Sequence, residues 1–337
     1  MGTPKKICII GAGAMGCLIG GLIQRAGYQV TYIARGVQLA ALNGGGLTLR
    51  SNAGEEWHAP VRATASAAAA GPQDIIIIAT KAYQLTSTLE HLPPLMHAET
   101  IVLPAINGMP WWYFQKHGGA NEGRTIQLLD ADGRLARGIP TERIIGCVNY
   151  LAGAITAPGV VQYVPEIARR IVVGELDNQV TPRLKAVHEM FSQAGFEPVM
   201  SEHIRQNVWH KLWGNVSFNP IGALTHATLD QLAEGYQDID LLSIVMNEAR
   251  FVADKLGIEM NQTIKSRVEA AAKMRGHKAS MLQDIEAGRP TEIDAIVGAV
   301  REIGKWVDVD TPALNVLYSL VKLKERYFRQ AAAGNQA

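Results

Sequence analysis

The apolar positions of this chain follow two different periods, one in each half. In the first half, short continuous apolar runs alternate with stretches of helical period. Lys6 to Ile10 reads as a strand, Ala14 to Ala26 as a helix closed by Gly27, and Gln29 to Ala34 as a second strand. Leu47 to Arg50 and Trp57 to Ala63 read as a short pair of strands. Asp74 to Thr80 (DIIIIAT) is apolar without alternation, which suits a parallel strand buried on both faces. Thr100 to Ile106 and Arg143 to Asn149 have the same character. This rhythm predicts a doubly wound parallel sheet with right-handed crossovers. Val160 to Val164 and Arg170 to Val173 add two short β-rich stretches. From about Thr181 a helical period takes over. Helices are expected over Arg205 to Leu224, Asp238 to Leu256, Gln262 to Gly276, Glu292 to Val307 and Ala313 to Phe328. The pattern therefore predicts an α/β domain over residues 1–200 and an all-α domain over residues 201–330. The closing AAAGNQA is small and polar and is expected to fray.

Composition narrows the function more than the fold. The 337 residues suit two domains, and 47% apolar content is enough for substantial cores. A formal net charge of +1 and the lack of any basic cluster give no reason to expect nucleic acid or an anionic membrane as partner. No apolar run approaches the length needed to span a bilayer. The start, MGTPKKICIIGAGAMG, sets two lysines before apolar residues, but Ile7 to Ile10 is too short for a secretion signal. Cys8, Cys17 and Cys147 form no paired framework, so reduced thiols and a cytoplasmic setting are expected. The nine histidines show no metal-ligand spacing, and no metal is expected. The pattern does not set an oligomeric state; a homodimer is one state open to it.

The candidate chemistry begins at the N-terminus. Gly11-Ala12-Gly13-Ala14-Met15-Gly16 follows the first strand and opens the first helix. In that context Gly11 makes the tight turn, Gly13 lets backbone approach a diphosphate, and Gly16 lets helix pack closely on strand. The helix N-terminus then offers free N–H groups and a favourable dipole to phosphates. The alternative is a glycine-rich turn without a ligand. Arg35 stands at the end of the second strand, where an NAD site would place an acid for the ribose 2′-hydroxyl. A guanidinium there would instead pair with a 2′-phosphate, so the expected cofactor is NADP(H) in a Rossmann-type site.

Other candidates stand at the carboxyl ends of strands and on one later helix. Lys81 follows DIIIIAT directly, and Asn107-Gly108 ends the next apolar run. Both are placed where open α/β sheets bind ligands, although Asn-Gly is also a common turn pair. In Trp209-to-Pro220 (WHKLWGNVSFNP), Lys211, Asn215 and Asn219 recur every fourth residue on a helix that is otherwise apolar nearly all round. Burying such groups unpaired is expensive, so they need partners or a wet cleft; a narrow solvated face is the plainer alternative. Ser280 and Asp284 share a helix face, and Thr291 and Asp294 resemble a capping box with Glu292 in the first turn.

Taken in order, GAGAMG, Arg35, ATKAYQ, NGM, HKLWGNVSFNP and SMLQDIEAGRPTEID resemble the ketopantoate reductases (2-dehydropantoate 2-reductases) from Lys6 to about Val309. The resemblance implies a Rossmann domain followed by an all-helical domain, with the active site in the cleft between them. It implies NADPH-dependent reduction of a 2-oxo acid, ketopantoate to pantoate, in pantothenate and coenzyme A biosynthesis. It makes Lys211 similar to the family's general acid, and Asn215, Asn219 and Ser280 similar to the residues that hold the oxo acid. Asn107 resembles a residue touching both substrate and nicotinamide. Lys81, Ala154 and Glu292 resemble cofactor contacts, beside Gly11 to Gly16 and Arg35. Two other readings stay open: a reductase of another branched or aromatic 2-oxo acid, and a non-catalytic NADP-sensing protein. The chain departs from the family pattern after Met109. Pro110 is followed by the aromatic group Trp111, Trp112, Tyr113 and Phe114, which reads equally as substrate-site lining or as core or interface. Residues 115–141 then read as an insertion with its own hairpin.

Overall fold

The computed structural model describes residues 6–164, 169–237 and 240–334. Residues 1–5 of the signal-like start, the helix start expected at Asp238 and the last three residues of the tail lie outside the described residues. The chain forms two compact units. The first takes Met1–Ile106, Phe114–Arg124 and Gly133–Ile204, and the second takes Asn107–Tyr113, Thr125–Asp132 and Arg205–Ala337.

The first unit is built on a five-stranded sheet of β1 (Lys6–Ile10), β2 (Gln29–Ile33), β5 (Arg62–Thr64), β6 (Ile75–Ile78) and β7 (Ile101–Pro104). Its order is β5-β2-β1-β6-β7, and every pairing is parallel. The run that lacked alternation, Ile75 to Ile78, is buried at every position, as a central parallel strand must be. A second sheet has the order β4-β3-β10-β9, from β3 (Leu47–Ser51), β4 (Glu56–Ala59), β9 (Gly153–Ala157) and β10 (Val160–Tyr163). The first helix, α1 (Ala14–Arg25), is buried from Gly16 to Ile23 because both sheets press on it. A Cβ on Gly20 would strike Tyr32 of β2, and one on Gly21 would strike Leu49 of β3. After β2 comes α2 (Gly36–Gly45).

Four local expectations change, three of them in this unit and one in a segment divided between the two units. The run Trp57 to Ala63 is two strands in different sheets: β4 pairs antiparallel with β3, and β5 lies parallel to β2. Pro60, which has no N–H to donate, separates them. The run from Arg143 meets the parallel sheet through the isolated parallel bridge Val102–Ile144 on β7, but its own ladder lies in another sheet: it forms β8 (Ile145–Tyr150), antiparallel to β11 (Arg170–Glu175). A continuous apolar run reports burial on two faces and says nothing of strand direction. After α3 (Pro182–Gln193), a further strand, β12 (Glu197–Met200), pairs parallel with β11 inside the stretch expected to be helical. It is short and largely exposed, so no apolar period announces it. Residues 115–141 hold short helical turns, such as Gln127–Asp130 and Arg134–Gly138, in place of a hairpin.

The second unit is helical. Its main elements are α4 (Ile204–Thr225), α5 (Leu241–Lys255), α6 (Ile264–Ala272), α7 (Ser280–Glu286), α8 (Ala299–Trp306) and α9 (Pro312–Gly334). Charged side chains close its helix ends. Lys324 Nζ donates to the carbonyls of Ala223 (2.7 Å) and Leu224 (3.4 Å) at the end of α4. The Glu248 carboxylate accepts from the N–H groups of Ala313 and Leu314 at the start of α9. Ahead of α8, Asp294–Gly298 forms a π turn in which Ala299 N–H donates to Asp294 O, five residues back. The capping box of Thr291 and Asp294 does not form: Asp294 Oδ1 accepts from Tyr318 OH at 2.6 Å, which draws the carboxylate towards α9. The aromatic group after Pro110 is core. Trp111, Trp112, Tyr113 and Phe114 are all buried, Trp209 Nε1 donates to Tyr113 OH at 2.8 Å, and Arg205 Nε donates to Tyr113 O. Among the described residues no helix is long and apolar enough to cross a membrane.

Candidate active site

Local sterics explain the glycine turn. Gly11 has φ +101°, and a Cβ there would lie 2.7 Å from Thr80 Cγ2 and 2.9 Å from Thr80 N. Only glycine lets the chain leave β1 this close to the end of β6. A Cβ on Gly16 would press into the Gly11 carbonyl, so the helix can sit on the turn only without one. Around Gly13 the situation reverses: nothing lies within 4 Å of its Cβ position. Gly13 is the N-cap of α1, and no side chain caps that helix. The first-turn N–H groups of a helix have no intrahelical acceptor, and this one ends in open space at its positive pole. Ala12 is buried behind the turn, while Ala14 and Met15 are half-buried in front. The cradle fits the diphosphate of a dinucleotide.

Three further residues of the first unit belong to this end of the sheet. Arg35 is exposed after β2, as N-cap of α2; its carbonyl accepts from Leu39 N–H, and no described residue offers its side chain a hydrogen bond or ion pair. Lys81 is half-buried after β6, where its backbone N–H donates to Gln84 Oε1 at 3.4 Å. Ala154 is exposed on β9; the neighbouring Gly153 packs against Met15 in the first turn of α1, with its Cβ position 3.5 Å from Met15 Cε. Sequence reasoning passed over Thr80. Its Oγ1 is buried with no hydrogen-bond partner among the described residues, and its Cγ2 and N–H are what a Cβ on Gly11 would meet. The signal was available: Thr80 stands between the buried run and Lys81.

In the second unit, α4 presents the four-residue stripe. Lys211 and Asn215 are half-buried, and Asn219 is 4% exposed. Asn215 Nδ2 donates to Asn107 Oδ1 at 2.9 Å, which joins the loop after β7 to the helix. Asn219 Nδ2 is buried and has no acceptor in the structure. A buried amide donor without a partner carries a desolvation cost of about 1–3 kcal/mol. It is the type of group that a ligand oxygen satisfies. Ser280 is exposed at the first position of α7 and makes no side-chain hydrogen bond with the described residues. Glu292 is buried, two residues ahead of the π turn. The structure thus joins Asn107 to Asn215 and lines Asn215 up with Lys211 and Asn219. Asp284, offered beside Ser280, is instead paired with Arg289 at 3.0 Å.

Comparison with known proteins places this arrangement. The model of the family described as ketopantoate reductase PanE/ApbA matches residues 7–178, and that of its C-terminal part matches residues 203–325. A 2-dehydropantoate 2-reductase of Mesorhizobium japonicum is 39% identical over 94% of this chain and 97% of its own length. The crystal structure of a proposed ketopantoate reductase from Ralstonia solanacearum MolK2 superposes with a TM-score of 0.90 at 38% identity, covering 96% of this chain and 98% of that one. The 2-dehydropantoate 2-reductase of Geobacter metallireducens GS-15 gives a TM-score of 0.82 at 27% identity, covering 94% and 99%. A parallel-sheet unit followed by a helical unit, with these relatives, defines a nicotinamide-dependent oxidoreductase. The chain belongs to the ketopantoate reductase family.

Proposed function

We propose that this enzyme uses NADPH to reduce 2-dehydropantoate (ketopantoate) to pantoate, a step of pantothenate and coenzyme A biosynthesis. The name of the 39%-identical relative supports this substrate. The single observation that carries the reading is the α4 stripe: a lysine and two asparagines in line, one held by Asn107 and one with a buried donor lacking an acceptor. Such a set suits a small molecule dense in oxygen.

In this reading Gly11, Ala12, Gly13, Ala14, Met15 and Gly16 hold the cofactor diphosphate, and Arg35 pairs with the 2′-phosphate. Lys81, Ala154, Asn107 and Glu292 complete the cofactor contacts. When bound, the nicotinamide supplies the hydride that goes to carbon 2 of the oxo acid. Lys211 holds the proton that the carbonyl oxygen takes up as negative charge builds on it. Asn215, Asn219 and Ser280 donate hydrogen bonds to substrate oxygens, and Asn107 orients both partners.

The test follows NADPH absorbance against a panel of 2-oxo acids. Turnover on ketopantoate well above the rest supports the proposal. Turnover on another branched or aromatic oxo acid replaces the substrate, and no turnover on any of them removes the activity.

A further inference from the structure

We infer that the π turn at Asp294–Gly298 is the device that positions Asn107. The inference rests on the role given to Asn107 above. Asn107 lies in the loop that follows β7, and its side chain reaches Asn215 on α4. A loop residue needs its backbone held as well, and the next two residues supply that hold. Gly108 has φ +83°, and its Cβ position lies 2.7 Å from Ala295 O and 2.8 Å from both Ala295 C and Ala295 Cβ. Met109 N–H donates to Ala295 O at 2.8 Å. Three consecutive residues are therefore docked: Asn107 through its side chain on α4, Gly108 by contact on Ala295, and Met109 by a hydrogen bond to the same carbonyl.

The shape of the turn matters. In a regular α-helix each carbonyl points along the axis to the N–H four residues on. Here Asp294 O instead accepts from Ala299 N–H, five residues on, and the widened turn gives Ala295 O a partner outside the helix. Single π turns interrupt helices at a cost in stability and persist where the surroundings hold them. The same turn begins two residues after Glu292, the other residue of the second unit to which the proposed function gives a cofactor contact. Gly108 and Ala295 touch no substrate in this account; they are positioning residues.

A double-mutant cycle tests this. Gly108→Ala forces a Cβ against the Ala295 carbonyl and strains a left-handed backbone, so Asn107 must shift. Its kcat/KM for the oxo acid should fall by roughly 10²-fold, the usual result of an ångström-scale misplacement. In an Asn107→Ala background the same substitution should bring no further fall, because nothing remains to be misplaced. An equal fall in both backgrounds means general damage and overturns the inference. An Asn107→Ala enzyme with unaltered kinetics overturns the role of Asn107 itself, which is the separate claim. If Gly108→Ala yields no folded protein, Ala295→Gly enters the same cycle, since it loosens the turn without a clash. Unaltered kcat/KM for Ala295→Gly in the enzyme that keeps Asn107 also sinks the inference.

Discussion

Lys211 and Arg35 draw on the same charge for different ends. Lys211 is half-buried on a helix whose Trp209, Leu212, Trp213 and Val216 are core, so its ammonium is held in register with Asn215 and Asn219. Lys211→Ala should leave NADPH affinity nearly unchanged and lower turnover by roughly 10²–10⁴, the usual contribution of a positioned acid. The normal enzyme should lose rate at high pH as a lysine gives up its proton, and the variant should lack that limb. Lys211→Arg should also be poor, because a guanidinium keeps its proton. Steady-state kinetics across pH checks all three. Arg35 is exposed and unengaged, so its replacement should disturb little else. Arg35→Asp should weaken NADPH by about 1.5–3 kcal/mol, the range for a charge-assisted hydrogen bond, and leave NADH nearly alone. Calorimetry that finds NADH and NADPH equally bound by the unmodified protein would remove the choice of NADP.

At the scale of elements, the short segment Asn107–Tyr113 behaves as part of the helical unit. Its anchor is Tyr113, whose hydroxyl accepts from Trp209 Nε1 and whose carbonyl accepts from Arg205 Nε. Burial holds the Tyr113 phenol well above its ordinary range, outweighing the lowering effect of the Trp209 hydrogen bond and of the Arg205 charge, so it stays neutral. Tyr113→Phe strands a buried indole donor and should cost about 1–3 kcal/mol in denaturant unfolding. Trp112 is 1% exposed, and Trp112→Ala should cost about 3–5 kcal/mol, as for other large core truncations. Because this side chain is core, the ranking of 2-oxo acids as substrates should survive the change. A reordered ranking at normal stability would return Trp112 to the substrate site.

Across the whole molecule, the two units carry different reporters. Cys8, Cys17 and Cys147 all lie buried in the first unit, and five of the six tryptophans lie in the second. Burial pushes the Cys8 and Cys17 thiols up to about 12. At pH 8 they are protonated as well as shielded, so alkylation should require the first unit to open. Saturating NADPH should raise the denaturant midpoint for thiol labelling, by about 2.7 kcal/mol when the ligand stands at 100 times its Kd. Tryptophan fluorescence reads the helical unit in the same experiment. Rapid labelling of the native protein at pH 8 would contradict the buried placement of these thiols.

What the sequence determined by itself is what depends on near neighbours. The fit of Gly16 on the Gly11 carbonyl is dictated by sterics within six residues, although the approach of Gly11 to Thr80 is not, and the alignment of Lys211, Asn215 and Asn219 is dictated by the helical period. The buried run at Ile75 to Ile78 declares a strand covered on both faces, and the change of period along the chain declares an α/β unit before a helical one. The tertiary structure alone decided what depends on distant partners. The antiparallel ladder of β8 with β11 is one such choice, and the anchoring of Tyr113 by Trp209 and Arg205, nearly a hundred residues on, is another. The contact of Asn107 with Asn215 spans 108 positions, and the docking of Gly108 on Ala295 depends on a π turn that no apolar period encodes. Hydrophobic pattern reports how much of each residue is hidden; which residue hides it is set only when the chain closes on itself.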